Sequence, residues 1–557
     1  MSLARTVCKR CYSTTATRPE LHDVVVLGAG PAGLALTAAL ASSDAITATH
    51  RITLLERASL APTRDWNPHP GRLSNRVSSI TSENVDFLSR AGVWKHVDHG
   101  RTRGIHEMQV WDGISDARIE FHAPPSRAAM ATLTENLNLQ RAALRRIQET
   151  GHVELVDEMR VESIVRGSRE EGGWPVVHLE NEDGTVKRKI RARLLIGADG
   201  ANSPVKSYSE IETFGWAYDR QGVVSSLDLD PSAMGDGTHT AWQRFLPEGP
   251  IAFLPLSDTT ASLVWSTTPA YAALLKALPP AAFAHLINLA FCLPYPELSA
   301  LLDRLAALAS TSSLPDDPAA LAASLADVHT AHLHGTYAAG EAAAVPPHVA
   351  AVQPGSTASF PLRLSHTSSY LGLPAAASDD DAAALPAQDL RTVLVGDAAH
   401  TVHPLAGQGL NLGLGDAEAL VETLARQSRL GGDVGSHVGL LAYARERYTQ
   451  NHAVLSACDH LHSLYASTAG PVVWARSTGL EMVNELDAVK TLLMGQAGGG
   501  GGGGSRVTPS KRSAGGWGVV ASAFEGAAKV RDAVGLVGGL VAGMVKKRAT
   551  EFVVRGK

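Results

Sequence analysis

The sequence predicts an α/β fold: a parallel-sheet domain split by an inserted mixed β-sheet domain and closed by a C-terminal helical region. Three observations predict it. A β-branched run near the N-terminus ends in a glycine-rich turn and an Ala/Leu helix. Two further glycine-and-aspartate turns, at Asp199 and Asp397, each follow a short buried strand. Between those turns, Gly215 to Trp265 is strand-like.

Taken in order, His22 to Leu27 (HDVVVL) reads as a strand, the segment to Leu40 as a helix and Arg51 to Glu56 (RITLLE) as a second strand, which makes a β-α-β unit. From Gly71 to Gly104 the pattern is mainly helical. Val153 to Leu179 and Val186 to Ile196 read as antiparallel strands that end in a parallel one at Leu194 to Ile196. Gly215 to Trp265 is strand-like, with a turn at Pro247 to Pro250. Ala272 to Ala350 is rich in Ala, Leu, Ser and Pro and reads as helices broken at Pro315 and Pro318. Ala375 to Ala387, with three consecutive aspartates from Asp379, reads as a surface loop. Arg391 to Val395 is a strand, followed by a helix from about Gly409 to Gln427. Seven glycines, Gly498 to Gly504, form a linker that a packed core does not tolerate, so the main body is expected to end near Ala497.

A chain of 557 residues, 45% hydrophobic and 19% charged, buries a large core, and a net charge of −6 gives no reason to expect a nucleic-acid partner. The charge is unevenly spread. Arg506 to Lys557 holds ten Lys or Arg against three acids, net +7, so everything upstream carries about −13. Four cysteines are too few and too scattered for a disulfide framework, and the Cys8/Cys11 pair has no second ligand pair nearby to make a zinc site. The first residues carry Arg5, Lys9, Arg10 and Arg18 among serines and threonines, with no acid before Glu20, as mitochondrial presequences do; the alternative is a plain basic terminus. No run of 18 or more apolar residues argues for a transmembrane helix.

The strongest motif is VVVLGAGPAGLAL, which sets Gly28, Gly30 and Gly33 between strand and helix, the Rossmann-like dinucleotide fingerprint in its required context. Gly28 permits the tight turn, Gly30 lets backbone approach a pyrophosphate, and Gly33 lets the helix pack on the sheet, while the helix N-terminus offers amides to an anion. Glu56, at the end of the next strand, is placed to accept from a ribose diol. By itself this motif does not separate a flavin from a nicotinamide dinucleotide.

Two later blocks do: LLIGADGANSPVK, with Asp199 and Gly200, and VLVGDAAHTVHPLAGQGLNLGLGD, with Asp397. In this order and at these distances the three blocks resemble the flavoprotein aromatic hydroxylases. HPLAGQGLNLGL, LSNRVSSIT, ATLTENLNLQRAAL, TFGWAYDRQGVV and AWQRFLPEGPIAFLPL resemble the ubiquinone-biosynthesis hydroxylases among them, from about His22 to Ala497. With the presequence, the likeness is to the mitochondrial branch. The resemblance implies an FAD-binding domain in two parts (21–205, and 390–497 with the C-terminal helices) and a substrate domain over 206–389 with low-complexity inserts; composition adds a presequence over 1–20, a Gly-rich linker over 498–516 and a basic amphipathic tail over 517–557.

The resemblance further implies FAD as cofactor, with Asp397 on the ribityl chain, the amides of Gly407, Gln408, Gly409, Leu410 and Asn411 against the flavin ring, and Arg76 and Gln140 at the pyrophosphate and ribityl regions. Arg76 also reads as a helix-surface arginine, and Gln140 as a solvated amide. Asp199 and Gly200 match a motif that supports flavin and pyridine nucleotide, but the arginine usual after it is Lys206 here, which lacks arginine's bidentate fork. That departure fits the expectation, also from the resemblance, that electrons come from a ferredoxin and its reductase. The implied reaction is hydroxylation of a polyprenylated hydroxybenzoate-type phenol by O2 through a hydroperoxide at flavin C4a, beside other ubiquinone-biosynthesis proteins. No nucleophilic triad or metal-ligand spacing competes with flavin chemistry.

Trp242, Arg244 and Phe245 are candidates for the substrate wall, with core packing the alternative. His403, before Pro404, is a candidate proton handler, with a structural role the alternative. In the tail, Ala533 to Val545 is apolar and is followed by Lys546, Lys547 and Arg548, a pattern suited to lie on an anionic membrane surface, here the matrix face of the inner membrane; a tail with no role, or one that caps the body, is the alternative. Two rivals stay open: a nicotinamide-driven hydroxylase of another phenol, and a flavin-bound scaffold with little turnover.

Overall fold

The computed structural model describes residues 18–69, 71–124, 127–168, 172–230, 239–311, 317–336, 345–373, 389–403 and 407–484. The first seventeen residues of the expected presequence with the Cys8/Cys11 pair, the Asp379 loop, the heptaglycine linker and the basic tail lie outside the described residues.

Apolar strands buried on both faces build the first layer. Val24, Val25 and Val26 are wholly buried, as are Leu194, Leu195 and Ile196, which is why these runs read as continuous rather than alternating. Glu20–Leu27 pairs in parallel with Ile52–Leu55 on one side and Lys187–Gly197 on the other. Val153–Val156 extends the first edge in parallel, and Thr392–Leu394 joins Lys187–Gly197 in parallel. Pro175–Glu180 and Arg160–Arg166 complete the seven strands as an antiparallel extension. The helices Pro31–Ala41, Asn136–Thr150 and Gln408–Arg429 pack against this unit, whose core takes Leu34, Leu36, Leu40, Leu139, Leu144, Leu420 and Leu424.

A nine-stranded sheet forms the second layer. Its order runs His400–Thr401, Ala358–Thr367, Thr213–Leu229, Thr260–Thr267, Gly249–Pro255, Thr240–Leu246, Glu107–Asp112, Arg118–His122, with Val349–Val352 also on Thr213–Leu229. All pairings are antiparallel except Thr240–Leu246 with Glu107–Asp112. The boundary expected at residue 206 therefore does not separate the sheets, because Glu107–His122 crosses early to supply two strands of the second. The helical reading of Gly71 to Gly104 also needs correction. Only Ser82–Arg90 is an α-helix there, flanked by Val77–Thr81 and Thr102–Ile105, which pair with Ala131–Glu135 in a three-stranded sheet. The Ala-rich stretch forms the helices Pro269–Ala277, Pro280–Cys292, Tyr295–Ser310 and Pro318–Thr336, and the first three and the start of the fourth fill a separate apolar core behind the second sheet. Two helices, His437–Ala466 and Gly470–Asn484, end the described body. No described helix is long and apolar enough to cross a membrane.

Candidate active site

The register of three parallel strands brings the three glycine turns together. Leu27 lies opposite Gly197, and Gly197 opposite Leu394, so the loops bearing Gly28, Asp199 and Asp397 leave the sheet at one level, where ligands of open α/β sheets bind. Gly28 has φ +105°, and a Cβ there would meet the Ala198 carbonyl oxygen at 2.4 Å. At Gly33 a Cβ would lie 2.1 Å from the Gly28 oxygen, which holds the helix Pro31–Ala41 against the turn. Gly30, at the N-cap of that helix, differs: nothing lies within 4 Å of its missing side chain, and the residue faces open cavity. A bare backbone, a helix N-terminus and open space together suit a diphosphate.

Glu56 is held at the end of its strand by two backbone amides, Ala29 N at 2.7 Å and Ala58 N at 2.9 Å, with lone pairs left for a diol. The Gln140 amide donates to the Ala29 oxygen at 3.3 Å, and Arg76 is exposed at the cavity wall. Burial pushes the Asp199 carboxyl up to about 6, against the pull of Ser203, its loop amides and Lys206. Lys206 itself donates to the Ala201 oxygen at 2.8 Å. Asp397 opens onto the cavity, and burial raises its carboxyl too, with His400 and Arg363 pulling the other way.

Gly407, with φ +59°, caps the helix Gln408–Arg429. Asn411 works as a lock: its Oδ1 accepts from Thr81 N at 3.0 Å and Asn84 Nδ2 at 2.9 Å, and its Nδ2 donates to the Ser79 oxygen at 2.7 Å and the Gly407 oxygen at 3.2 Å. Beneath, the wholly buried Asp416 accepts from His400 Nε2 at 2.7 Å, Gly396 N at 3.0 Å, Arg447 Nε at 2.8 Å and Asn451 Nδ2 at 2.9 Å. Burial works against its charge, but His400 and Arg447 outweigh burial and hold the carboxyl well below the usual range. This network ties the Asp397 turn to two helices, and no motif reading pointed to it.

The turns open into one cavity of about 2010 Å³, larger than the few hundred to 1,000 Å³ usual for a single small ligand. One end is lined by Gly28, Gly30, Glu56, Arg76, Asp199, Gly200, Asp397 and Gly407 to Asn411. The other is an apolar arm with Val110, Phe121, Phe245, Leu254, Leu464 and Leu480 among its walls. Gly33 stands behind the wall as a packing glycine.

The predicted substrate wall is corrected by strand alternation. Ala241, Gln243 and Phe245 face the cavity, whereas Trp242 and Arg244 point to the opposite face. Trp242 packs edge-on to Trp111 at 6.3 Å. Arg244 is buried and donates to the carbonyls of Ala290 and Leu293 at 2.8 Å, closing the C-terminal end of the helix Pro280–Cys292. His403 is wholly buried and is not among the cavity-lining residues; it packs against Tyr218 at 5.0 Å and His462 at 5.2 Å. Burial and then His462 push it down to about 3, so it is neutral at ordinary pH. Gln243 and the C-terminal helix residues escaped sequence reading; alternation in AWQRFL supplies the first once the register is known, but nothing in the sequence supplies the second.

Comparison with known proteins fits this geometry. Residues 22–273 and 375–457 match the family model described as "FAD binding domain". The solved p-nitrophenol 4-monooxygenase PnpA of Pseudomonas putida superposes with TM-score 0.57 at 15% identity, covering 88% of this chain and 100% of that one. Pseudomonas aeruginosa PqsL, solved with 2-aminobenzoylacetate, gives TM-score 0.52 at 21% identity over 80% and 97%. Fold and site thus define an FAD-dependent aromatic monooxygenase. The mitochondrial ubiquinone biosynthesis monooxygenases COQ6 of Drosophila melanogaster and Saccharomyces cerevisiae are 37% and 34% identical, over 87% and 89% of this chain and 91% and 98% of theirs, and the chain belongs to that family.

Proposed function

We propose that the protein hydroxylates the ring of a polyprenylated hydroxybenzoate-type phenol in ubiquinone biosynthesis, on the matrix face of the mitochondrial inner membrane. The observation that carries this reading is the continuity of the cavity: a polar, glycine-walled end for the cofactor runs without a break into an apolar arm that suits a ring with a long hydrocarbon tail. Bound FAD supplies the oxygen activation that side chains lack.

The chain's own residues do the rest. The amides around Gly30 would hold the pyrophosphate and Glu56 the ribose, with Arg76 and Gln140 for the pyrophosphate and ribityl regions. Asp397 would accept from the ribityl hydroxyls, and Asp199 with Gly200 would support the flavin. The amides of Gly407, Gln408, Gly409 and Leu410, at a helix N-terminus tied by Asn411, would face the ring, where they favour negative charge. Phe245 and Leu254 exclude water and fix the phenol's plane, while Gln243 offers a polar contact in an otherwise apolar wall. Lys206 in place of arginine supports electron delivery by ferredoxin and its reductase rather than by a docked nicotinamide. The basic start supports mitochondrial import, and the basic tail a membrane contact near other proteins of the pathway.

The test combines holoprotein, ferredoxin, ferredoxin reductase, labelled O2 and a prenylated hydroxybenzoate, with mass spectrometry of the product. One labelled oxygen in the ring is expected. Rapid flavin reduction by NADPH alone would point instead to a nicotinamide-driven hydroxylase, and peroxide without hydroxylated product to a scaffold.

A further inference from the structure

The helix Gly470–Asn484 closes the apolar arm of the cavity and is anchored from one side only. Arg476 is buried and donates from Nε and Nη2 to the two carboxylate oxygens of Asp112 at 3.0 and 2.9 Å, and from Nη1 to the carbonyls of Leu464 and Ser467 at 2.9 and 2.7 Å. Asn484 Oδ1 accepts from the Glu120 amide at 3.0 Å, so the helix lies along the edge strand Arg118–His122. Its inner side, with Leu480 and Val483, packs on Val110, Ile119 and Phe245. The outer side has no partner among the described residues: Trp474 is 71% exposed and Met482 62%, and of the exposed positions only Glu481 is charged. Trp474 also lines the cavity, so the bare face adjoins the apolar arm.

We propose that this face docks on an anionic lipid bilayer and opens the arm directly to the hydrocarbon phase. The inference rests on the reading above that the substrate carries a hydrocarbon tail. Two features choose a bilayer over another occupant. The chain runs on from this helix for 73 residues, of which Arg506 to Lys557 carry net +7 and an apolar run, complementary to acidic headgroups. An exposed tryptophan and, about two turns further on, an exposed methionine on a helix face with one acid suit the interfacial region, where an indole's apolar body and polar N–H are both satisfied. A tailed phenol then reaches the flavin end without its chain crossing water.

Full-length holoprotein is mixed with phosphatidylcholine vesicles with and without phosphatidylglycerol, and the bound fraction is read by sedimentation. The double variant Trp474→Gln, Met482→Gln is expected to bind anionic vesicles at least about tenfold more weakly, in line with two large apolar side chains leaving the interface. FAD content and Tm report that the variant is folded. As a conservative second measurement, brominated lipid is expected to quench a fluorescence component of the wild type that is missing from Trp474→Phe. Unchanged vesicle affinity in the double variant, with no Trp474 quenching, overturns the proposal and leaves docking to the tail alone. A self-associated wild type that the double variant turns into monomers also overturns it, because a second copy then covers the face. Product formed from detergent-solubilised substrate separates the two readings: hydroxylation without vesicle docking refutes only this inference, and docking without hydroxylation refutes only the proposed reaction.

Discussion

Replacing Asp416 with alanine removes the hub beneath the Asp397 turn. The wholly buried carboxylate accepts four hydrogen bonds, so the variant leaves Arg447 as a buried cation without its counter-ion and strips Gly396 N, His400 and Asn451 of an acceptor. Breaking a buried pair from one side costs about 3–5 kcal/mol. At about 2 °C per kcal/mol for a large domain, Tm should fall by roughly 6–10 °C. Because Gly396 precedes Asp397, the loss is local as well as global, and FAD should dissociate before the protein melts. Flavin fluorescence on heating reads release, and circular dichroism reads unfolding. In the wild type the two transitions should coincide, and in Asp416→Ala release should come first. If the variant keeps wild-type Tm and releases FAD only on melting, the network does not hold the turn and the reasoning fails.

The glycines of the first turn should separate by function. Gly30→Val places its side chain in open cavity, so the apoprotein should keep its Tm while FAD affinity drops at least about 100-fold, equivalent to about 2.7 kcal/mol; Gly33→Ala drives a Cβ to 2.1 Å from backbone and should prevent soluble expression. Trp242→Ala should cost about 3–5 kcal/mol in urea unfolding and leave KM nearly unchanged, since the ring sits in the core. Ala252→Phe, which projects into the arm, should raise KM about tenfold or more for a long-tailed phenol and much less for a short one. For His403, a folded pKa of about 3 lies below the ordinary 6.5, so the unfolded chain takes the proton first, and stability falls as pH drops from about 6.5 towards 3. His403→Gln should remove up to about 1.4 kcal/mol per pH unit of that slope, read by urea unfolding across the range.

The glycine turns that converge at one end of the cavity were legible in the sequence because backbone sterics dictate them. Gly28, Gly30 and Gly407 are glycines for steric reasons that hold at any such turn, and buried parallel strands announce themselves as unbroken apolar runs. The substrate end was not, since whether Trp242 or Gln243 faces the cavity depends on a single-residue register that strand-like composition does not set. Glu107–Asp112 was missed as part of the second sheet because its parallel partner, Thr240–Leu246, lies far along the chain. Asp416, Arg447 and Asn451 resemble ordinary helix-surface residues until two helices bring them together, and Asp112 and Arg476 meet only once the last described helix folds back across the edge strand.

The most direct measurement is a density map of the protein with FAD and a prenylated phenol bound. The account predicts the isoalloxazine against Gly407 to Asn411, the diphosphate at Gly30, and the tail running past Phe245 beneath the helix Gly470–Asn484. A flavin bound away from the Gly28, Asp199 and Asp397 turns, or a tail leaving by another wall while the apolar arm stays filled with water, would contradict it.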